Sequence, residues 1–516
     1  MMLPAPQSRP DWLPLRLVIL SVIISVCMVL AGGASLMGAM RMLAESASLA
    51  PEPGGWVRAG STLAMLCATM LIATSTGLAV AILLNGLGKG VLAVAMVAGR
   101  FVALVPVAAL GWIFVGVWIG RMGMPIETLL PSLLMPRGET PELALGRWTW
   151  GWMAPVLLVA VPVTGETLAR AAGWLHDADL SREELGLRAR GVPLTRIYFH
   201  HRLAQWICLL GPQVQALGLV ALGYFVVAEQ ILGLRGWGGW VAEAVLKGDR
   251  VQLAASVHIG GWLAAAWCVI ASMFGGWKRA KVVKRHAFQH RQPWFQGLAA
   301  ITLCVTIMAM LWLVRDDPLI WWRLVYPDVA LALAAAVSGS LVALVLTVLP
   351  RRFPLLKMME SLGWAPWLLW AAVASSLTSL PSLGIALVLG IATGAIGGWH
   401  LRQVRRITLA AYEASIVTGI SPGAAWARHV RPMQIQAAVA WLAESFGWLL
   451  LTVIVIRYLG ASLMEQNSPG LGQNIASSAS AVLSTPGDAL IPGLVAALCA
   501  LSFQLMGRII QPRTLL

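Results

Sequence analysis

Residues 61–84 read STLAMLCATMLIATSTGLAVAILL, a stretch of 24 residues without a charged side chain. A helix rises about 1.5 Å per residue, so a run of this length crosses a hydrocarbon core about 30 Å thick. Similar runs recur along the chain and are continuously apolar, which excludes the alternating pattern of a transmembrane β-barrel. The sequence therefore predicts an all-α polytopic membrane protein.

The apolar runs predict about 12 transmembrane helices, six in each half of the chain. They lie near residues 13–36, 61–84, 98–120, 149–172, 206–232, 254–275, 297–314, 328–349, 360–379, 382–400, 434–457 and 488–507. The first run is longer than the apolar core of a signal peptide, which has about 7–15 residues, so we interpret it as a retained span. All six cysteines fall inside apolar runs without paired spacing, which is typical of small core side chains and not of disulfides or metal sites.

The net charge of +15 has a topological explanation. A basic linker at 277–296, which includes KRAKVVKR at 278–285, separates the two sets of spans and is expected to be cytoplasmic. With the linker inside, both termini are cytoplasmic, and the cytoplasmic segments carry 24 Lys and Arg residues against 11 on the other side. Arg100 and Arg170 fall at or within spans. The charge is thus explained without a nucleic-acid partner.

Two long polar loops occupy equivalent places in the two sets of spans. Residues 174–204 and 401–432 each lie between the fourth and fifth predicted spans of their own half. This placement favours a tandem duplication, with a first half at 1–276 and a second half at 297–516. An even number of spans in each half makes such repeats parallel in the membrane.

Both loops have the pattern of a helix, a stop and a second helix. In the second loop, Gly419 can end a helix in the left-handed conformation, and Ser421 can cap the next helix with Pro422 at its first position. In the first loop, Gly191 takes the place of Gly419. Aligning these two glycines also superimposes His201 on His429.

Several motifs in these regions resemble permease subunits of ATP-binding-cassette importers, in the dipeptide/oligopeptide/nickel class. The resemblance lies in Leu187-Arg188-Ala189-Arg190-Gly191, in Glu229 to Gly238, in Gly99 to Pro106, in Tyr412-Glu413-Ala414 and in Arg428-His429-Val430 with Pro432. It implies both permease subunits fused in one chain, with the type I importer transmembrane fold. The chain departs from the family pattern at Leu185, where an acidic residue would align, and at Arg235, where proline is usual.

The resemblance also implies partners and site residues. Two ATPase subunits would dock on the two loops from the cytoplasm of a bacterium, and a periplasmic solute-binding protein would deliver a peptide or peptide-like solute, with nickel chelates and opines as further candidates. The implied ATPase-coupling residues are Glu184, Arg188, Ala189, Gly191, His201, Tyr412, Glu413, Ala414, Gly419, Arg428, His429 and Pro432. The implied outer-gate residues are Glu229, Gly236, Gly238 and Asp249. The chain would sit in the inner membrane and bind no cofactor, because its partners hydrolyse ATP with Mg.

Other readings of the sequence stay open beside this one. Glu166, Glu229 and Glu444 fall in or at the ends of apolar runs, where carboxylates are costly, and they can serve a proton relay or hydrogen-bonded packing. A proton relay would belong to a secondary transporter driven by an ion gradient. The segment 86–90, GLGKG, lacks the spacing and the Ser or Thr of a phosphate loop, so we expect a turn there and no enzymatic ATP hydrolysis by this chain.

Overall fold

The computed structural model describes residues 13–31, 55–120, 141–178, 182–197, 203–234, 236–247, 249–275, 301–302, 304–306, 308, 318–348, 381–460, 470–477 and 487–510. The regular secondary structure of these residues is helical, without a strand, which confirms the predicted all-α class. The predicted linker at 277–296 and the predicted span at 360–379 lie outside the described residues, as does most of the span at 297–314.

Among the described residues, sixteen α-helices are defined in chain order. They are α1 (Leu13–Ala31), α2 (Gly55–Asn85), α3 (Lys89–Leu104), α4 (Val107–Gly120), α5 (Pro141–Ala178), α6 (Arg182–Ala189), α7 (Leu194–Ile197), α8 (Leu203–Ile231), α9 (Trp237–Lys247), α10 (Arg250–Gly275), α11 (Pro318–Val348), α12 (Pro381–Val417), α13 (Pro422–Ala425), α14 (Arg431–Gly460), α15 (Leu471–Ser477) and α16 (Gly487–Ile510). A π-helical turn, Trp426–Val430, joins α13 to α14.

Eight helices among the described residues are long and apolar enough to cross a membrane, and a bent pair of helices brings the number to nine. Apolar side chains such as Leu71, Leu83 and Met273 are more than 70% exposed on them, as expected for surfaces that contact lipid. The chain is therefore a multi-pass membrane protein by the length and composition of its helices. In α1, the qualifying apolar stretch, Pro14–Val26, is shorter.

The third predicted span differs from expectation. In place of one straight helix over 98–120, α3 begins at Lys89 and α4 follows it at an angle of 85°. Val105 adopts an extended conformation (ψ 124°), as the residue before a proline prefers, and Pro106 starts the second helix of the pair. The break is therefore a property of the Val105-Pro106 step. Residues 86–87 form the predicted turn between α2 and α3.

The helices before and after the linker pack in the same order. In the first set, α2 contacts α5, α8 and α9, while α8 also contacts α5, α9 and α10, and α9 contacts α10. In the second set, α11 contacts α12, α14 and α15, while α14 also contacts α12, α15 and α16, and α15 contacts α16. Each of these contacts of one set has its counterpart in the other, whereas the contact of α2 with α10 occurs in the first set alone among the main contacts of the described residues. The bent pair α3–α4 reaches across to α16, and α9 reaches across to α14.

Small residues set the closest helix approaches. A Cβ atom added to Gly99 on α3 would lie 2.6 Å from the carbonyl oxygen of Gly165 on α5, and one on Gly165 would lie 2.5 Å from that of Gly99. Between α11 and α12, a Cβ atom on Gly394 would lie 2.6 Å from the carbonyl oxygen of Gly339. Without Cβ atoms the backbones approach closely, which is how helices gain van der Waals contact inside a bilayer.

Candidate functional site

The second loop ends α12 with a glycine in the left-handed conformation. Gly419 has φ 90° and donates its N–H to the carbonyl of Ile416, while Ile420 donates to that of Ser415. These two bonds form a Schellman motif, in which a positive φ lets the chain satisfy the last carbonyls of a helix. Ser421 then caps α13, accepting a hydrogen bond at its Oγ from the N–H of Ala424 at 3.4 Å. The predicted helix, stop and capped helix are confirmed.

The first loop has the same hydrogen-bonding pattern. Gly191 has φ 75° and donates to the carbonyl of Arg188, and Val192 donates to that of Leu187. The short helix α7 then begins three residues after the glycine, as α13 does after Gly419. The two helix–turn–helix segments thus keep the same spacing, with a constant difference of 228 between their residue numbers.

The predicted coupling residues of the second loop line an exposed surface. Glu413, Ala414, Gly419, Arg428 and Pro432 are exposed, and Tyr412 is half-buried. His429 is half-buried too, and its Nε2 lies 2.8 Å from the hydroxyl of Ser415, which ties the π-helical turn to α12.

Apolar side chains are part of the same surface. Val417 is 87% exposed, Trp426 43% and Ile416 36%. Their exposure leaves a surface of mixed apolar and charged character at the end of α12.

In the first loop, Arg188, Ala189 and Gly191 are exposed, like their counterparts around Gly419. Ile197 at the end of α7 is buried, as is Ala425 at the end of α13. Glu184 lies on α6, but the surroundings of its side chain are outside the described part of the structure, and His201 lies outside the described residues altogether.

A buried carboxylate anchors the short helix α9. Glu229, near the end of α8, is fully buried and accepts hydrogen bonds from the Thr62 hydroxyl (2.7 Å) and from the N–H of Gly239 (2.9 Å). The Thr62 oxygen in turn accepts from the N–H of Trp237 at 2.9 Å. A carboxylate at a helix N-terminus satisfies unpaired N–H groups and complements the helix dipole. Glu229 and Thr62 together therefore fix where α9 begins.

The predicted gate glycines permit this contact. A Cβ atom on Gly236 would lie 2.2 Å from the Glu229 carboxylate, and one on Gly238 would lie 2.6 Å from the Cα atom of Val226. The structure thus brings Glu229, Gly236 and Gly238 together. Asp249 lies apart from them, at the start of α10, where its Oδ1 accepts hydrogen bonds from the N–H groups of Val251 (3.0 Å) and Gln252 (3.1 Å). Its observed contacts are those of a helix cap.

A second buried carboxylate anchors α15. Asp328 on α11 is fully buried, accepts a hydrogen bond from the N–H of Leu471 at 2.7 Å, and forms an ion pair with Arg457 on α14. A Cβ atom on Gly470 would lie 2.6 Å from Asp328, and one on Gly472 would lie 2.0 Å from the carbonyl oxygen of Ile454. The first residue of α15 is held as the first residue of α9 is, by an oxygen from a neighbouring span.

The structure also gathers charged side chains between the two sets of helices. Glu166 and Arg170 form an ion pair on α5 (2.6 Å), and their charges act on Arg100 of α3 together with that of Glu444 on α14. The charges of Arg100 and His400 act in turn on Glu444. Intramembrane ionisable side chains of this kind default to functional candidates.

Several of these residues are missing from the sequence prediction of the sites. Asp328 and Arg457 are charged residues in or at the ends of apolar runs, so the same criterion that selected Glu229 would have found them. Thr62 carries no such signal, because hydroxyl groups inside a helix commonly bond to their own backbone. Its role depends on Glu229, which is 167 residues away in sequence.

Comparison with protein-family models, with curated proteins and with solved structures found no match. The functional assignment therefore rests on the chain's own residues.

Proposed function

We propose that the chain is the membrane-spanning permease of an ATP-binding-cassette importer, with both permease subunits fused, and that it moves a peptide or peptide-like solute. The two loops would dock on two separate ATPase subunits that hydrolyse ATP with Mg, and a periplasmic solute-binding protein would load the outer side of the inner membrane. ATP binding would move the docked loop helices as rigid bodies and switch the pathway between its two sides.

The observation that carries this proposal is the matched geometry of the two loops. Each ends a helix on a left-handed glycine, Gly191 or Gly419, and starts a short helix three residues later, at Leu194 or Pro422. A rigid, exposed helical segment that occurs twice suits a pair of like partners better than a single one. The exposed Val417 and Trp426 supply apolar surface that such a partner would cover.

The repeated order of helix contacts supports two permease halves. Seven contacts among α2, α5, α8, α9 and α10 recur among α11, α12, α14, α15 and α16. Gly238 packs on Val226, and Gly472 packs on Ile454. The residue numbers of Val226 and Ile454 again differ by 228. Two similar halves facing each other would enclose a path between them, with α3, α4 and α16 at their contact.

The docking assignment is tested with the double variant Gly419→Asp with Glu413→Lys, purified through an affinity tag from membranes of the source cell. We expect a folded, inserted chain that loses its ATPase subunits, measured as ATP hydrolysis in the purified material. The matched control is Lys89→Glu, which reverses an exposed charge at the first residue of α3. This variant should still co-purify with the ATPase subunits. Retained ATP-driven uptake in the double variant would refute the coupling role of the second loop.

A secondary transporter driven by an ion gradient is the second candidate. The observation in its favour is the intramembrane group of Arg100, Glu166, Arg170, His400 and Glu444. Transport by purified chain in liposomes separates the two functions. Uptake that follows an imposed proton gradient without nucleotide favours the secondary transporter, and uptake that needs an ATPase and ATP favours the importer.

A further inference from the structure

Arg100 is a buried cation without a hydrogen-bond partner at its Nε among the residues that the structure describes. The residue is 5% exposed and lies on α3, whose spatial neighbours include α5 and α16. A guanidinium has five N–H donors in a planar fork, and leaving such donors unsatisfied inside a membrane protein is costly. The burial of this donor therefore implies either that Arg100 binds a ligand or that it stabilises the packing of the helices.

The surrounding contacts show how Arg100 is held. Gly99, the preceding residue, packs against Gly165, and Glu166 follows Gly165 on α5. Glu166 is itself engaged by Arg170, one turn farther along the same helix. Glu166 therefore has its own bonded cation, and its charge also acts on Arg100.

The second set of helices completes the surroundings. A Cβ atom on Gly507 of α16 would lie 3.0 Å from the backbone nitrogen of Glu444 on α14, so these two helices are in close contact there. Glu444 contributes the other carboxylate charge that acts on Arg100. The cation thus lies on α3, which contacts α16 of the second set, while α5 packs on α3 and α14 packs on α16. This places it at the contact between the two halves of the proposed permease.

We propose that Arg100 binds the carboxylate of the transported solute at this contact between the halves. A guanidinium takes a carboxylate in a bidentate arrangement, and such charge-assisted bonds are the strong ones. Glu166 and Glu444 stabilise the cation while no solute is bound, and the acidic group of the solute supplies the acceptor that the Nε of Arg100 lacks. The inference rests on the proposed function, since it requires that solute passes between the halves.

The test measures binding to the full chain in nanodiscs by isothermal titration calorimetry. The probes are alanyl-alanine and its C-terminal amide, which differ in the carboxylate. We expect the unaltered chain to prefer the acid by at least about tenfold, the effect of one charge-assisted contact. Arg100→Gln should reduce the affinity for the acid to that for the amide. Lys89→Gln, which removes an exposed charge from the same helix, should leave the preference unchanged.

Arg100→Lys extends the test in case the glutamine variant does not fold. It keeps the charge but not the planar fork, so the preference for the acid should fall several-fold. Equal affinity of the unaltered chain for acid and amide overturns the inference. So does a preference for the acid in either Arg100 variant that is as large as in the unaltered chain. If the inference alone fails, the chain shows no preference for the acid but still co-purifies with its ATPase. If the proposed function fails, the chain co-purifies without an ATPase.

Discussion

The two short helices α9 and α15 are held at their N-termini by different pairs of side chains. In the first set of helices, Thr62 accepts from the first N–H of α9 and is bonded to Glu229. In the second set, Asp328 accepts from the first N–H of α15 and is paired with Arg457. Glu229 and Arg457 differ by 228 in number, as the loop glycines do. One set therefore uses a hydroxyl and a carboxylate where the other uses a carboxylate and a guanidinium.

The two anchors share their backbone geometry and differ in their side-chain chemistry. Both arrangements place an oxygen acceptor at the start of a short helix and use a glycine to let the backbone come close, Gly236 in one and Gly470 in the other. They differ in electrostatics, because Asp328 has a direct cationic partner while Glu229 relies on neutral donors, with the charge of Arg58 acting on it as well. The two anchors should therefore respond differently to substitution.

The largest effect is expected for Asp328→Ala. It leaves the buried Arg457 without its carboxylate and the N–H of Leu471 without its acceptor, and removal of one partner of a buried ion pair costs about 3–5 kcal/mol. The measurement is the free energy of unfolding in mixed detergent micelles. The control is Glu243→Ala, which removes an exposed ion pair with Lys247 and should cost at most about 0.5 kcal/mol.

The double variant Asp328→Ala with Arg457→Leu sharpens this result. Because it removes both charges, it should recover a large part of the lost stability. A double variant as unstable as Asp328→Ala alone would contradict the view that loss of the Asp328 carboxylate from the Arg457 guanidinium is the main cause.

A smaller effect is expected for Glu229→Ala. It deprives the Thr62 hydroxyl and the N–H of Gly239 of their acceptor but leaves no directly bonded cation behind, which costs about 2–3 kcal/mol. The free energy of unfolding is measured under the same conditions as for Asp328→Ala. A loss for Glu229→Ala that exceeds the loss for Asp328→Ala would reverse the electrostatic ranking of the two anchors.

An exchange of side chains tests whether the two anchors are equivalent. The pair Thr62→Asp with Glu229→Arg builds the ion pair of the second set of helices into the first. We expect each single variant to be less stable than the pair, with a coupling free energy of about 0.5–3 kcal/mol in a double-mutant cycle. Additive effects of the two substitutions would show that the two positions are not interchangeable.

The smallest effect belongs to the glycines that pack on the spans. Gly238→Ala and Gly472→Ala each place a methyl group against backbone, at Val226 and at Ile454, and such overpacking costs about 1–3 kcal/mol. Thermal unfolding followed by tryptophan fluorescence measures the loss. Gly60→Ala on α2 is the matched control, because nothing lies within 4 Å of its added Cβ atom. Helix propensity favours alanine over glycine, so Gly60→Ala should not lose stability. A loss for Gly60→Ala as large as for Gly238→Ala would contradict the packing explanation.

Local features of this protein were predictable from its sequence. The apolar runs predicted membrane-spanning helices because the bilayer sets their length. Gly191 and Gly419 ended helices, and Ser421 capped one, because those outcomes depend on conformational preferences within a few residues. Pro106 carried the signal for the bend between α3 and α4, although a straight span was predicted.

Only the tertiary structure decided which buried polar groups meet. Thr62 and Glu229, or Asp328 and Leu471, are more than 100 residues apart in sequence, and their spacing along the chain contains no information on pairing. The cost of burying each group can be met only by a partner on another helix, so the packing of the spans selects the partner. The same packing buries Arg100 on α3 beside α5 and α16, with two carboxylates acting on it and with no hydrogen-bond partner for its Nε among the described residues.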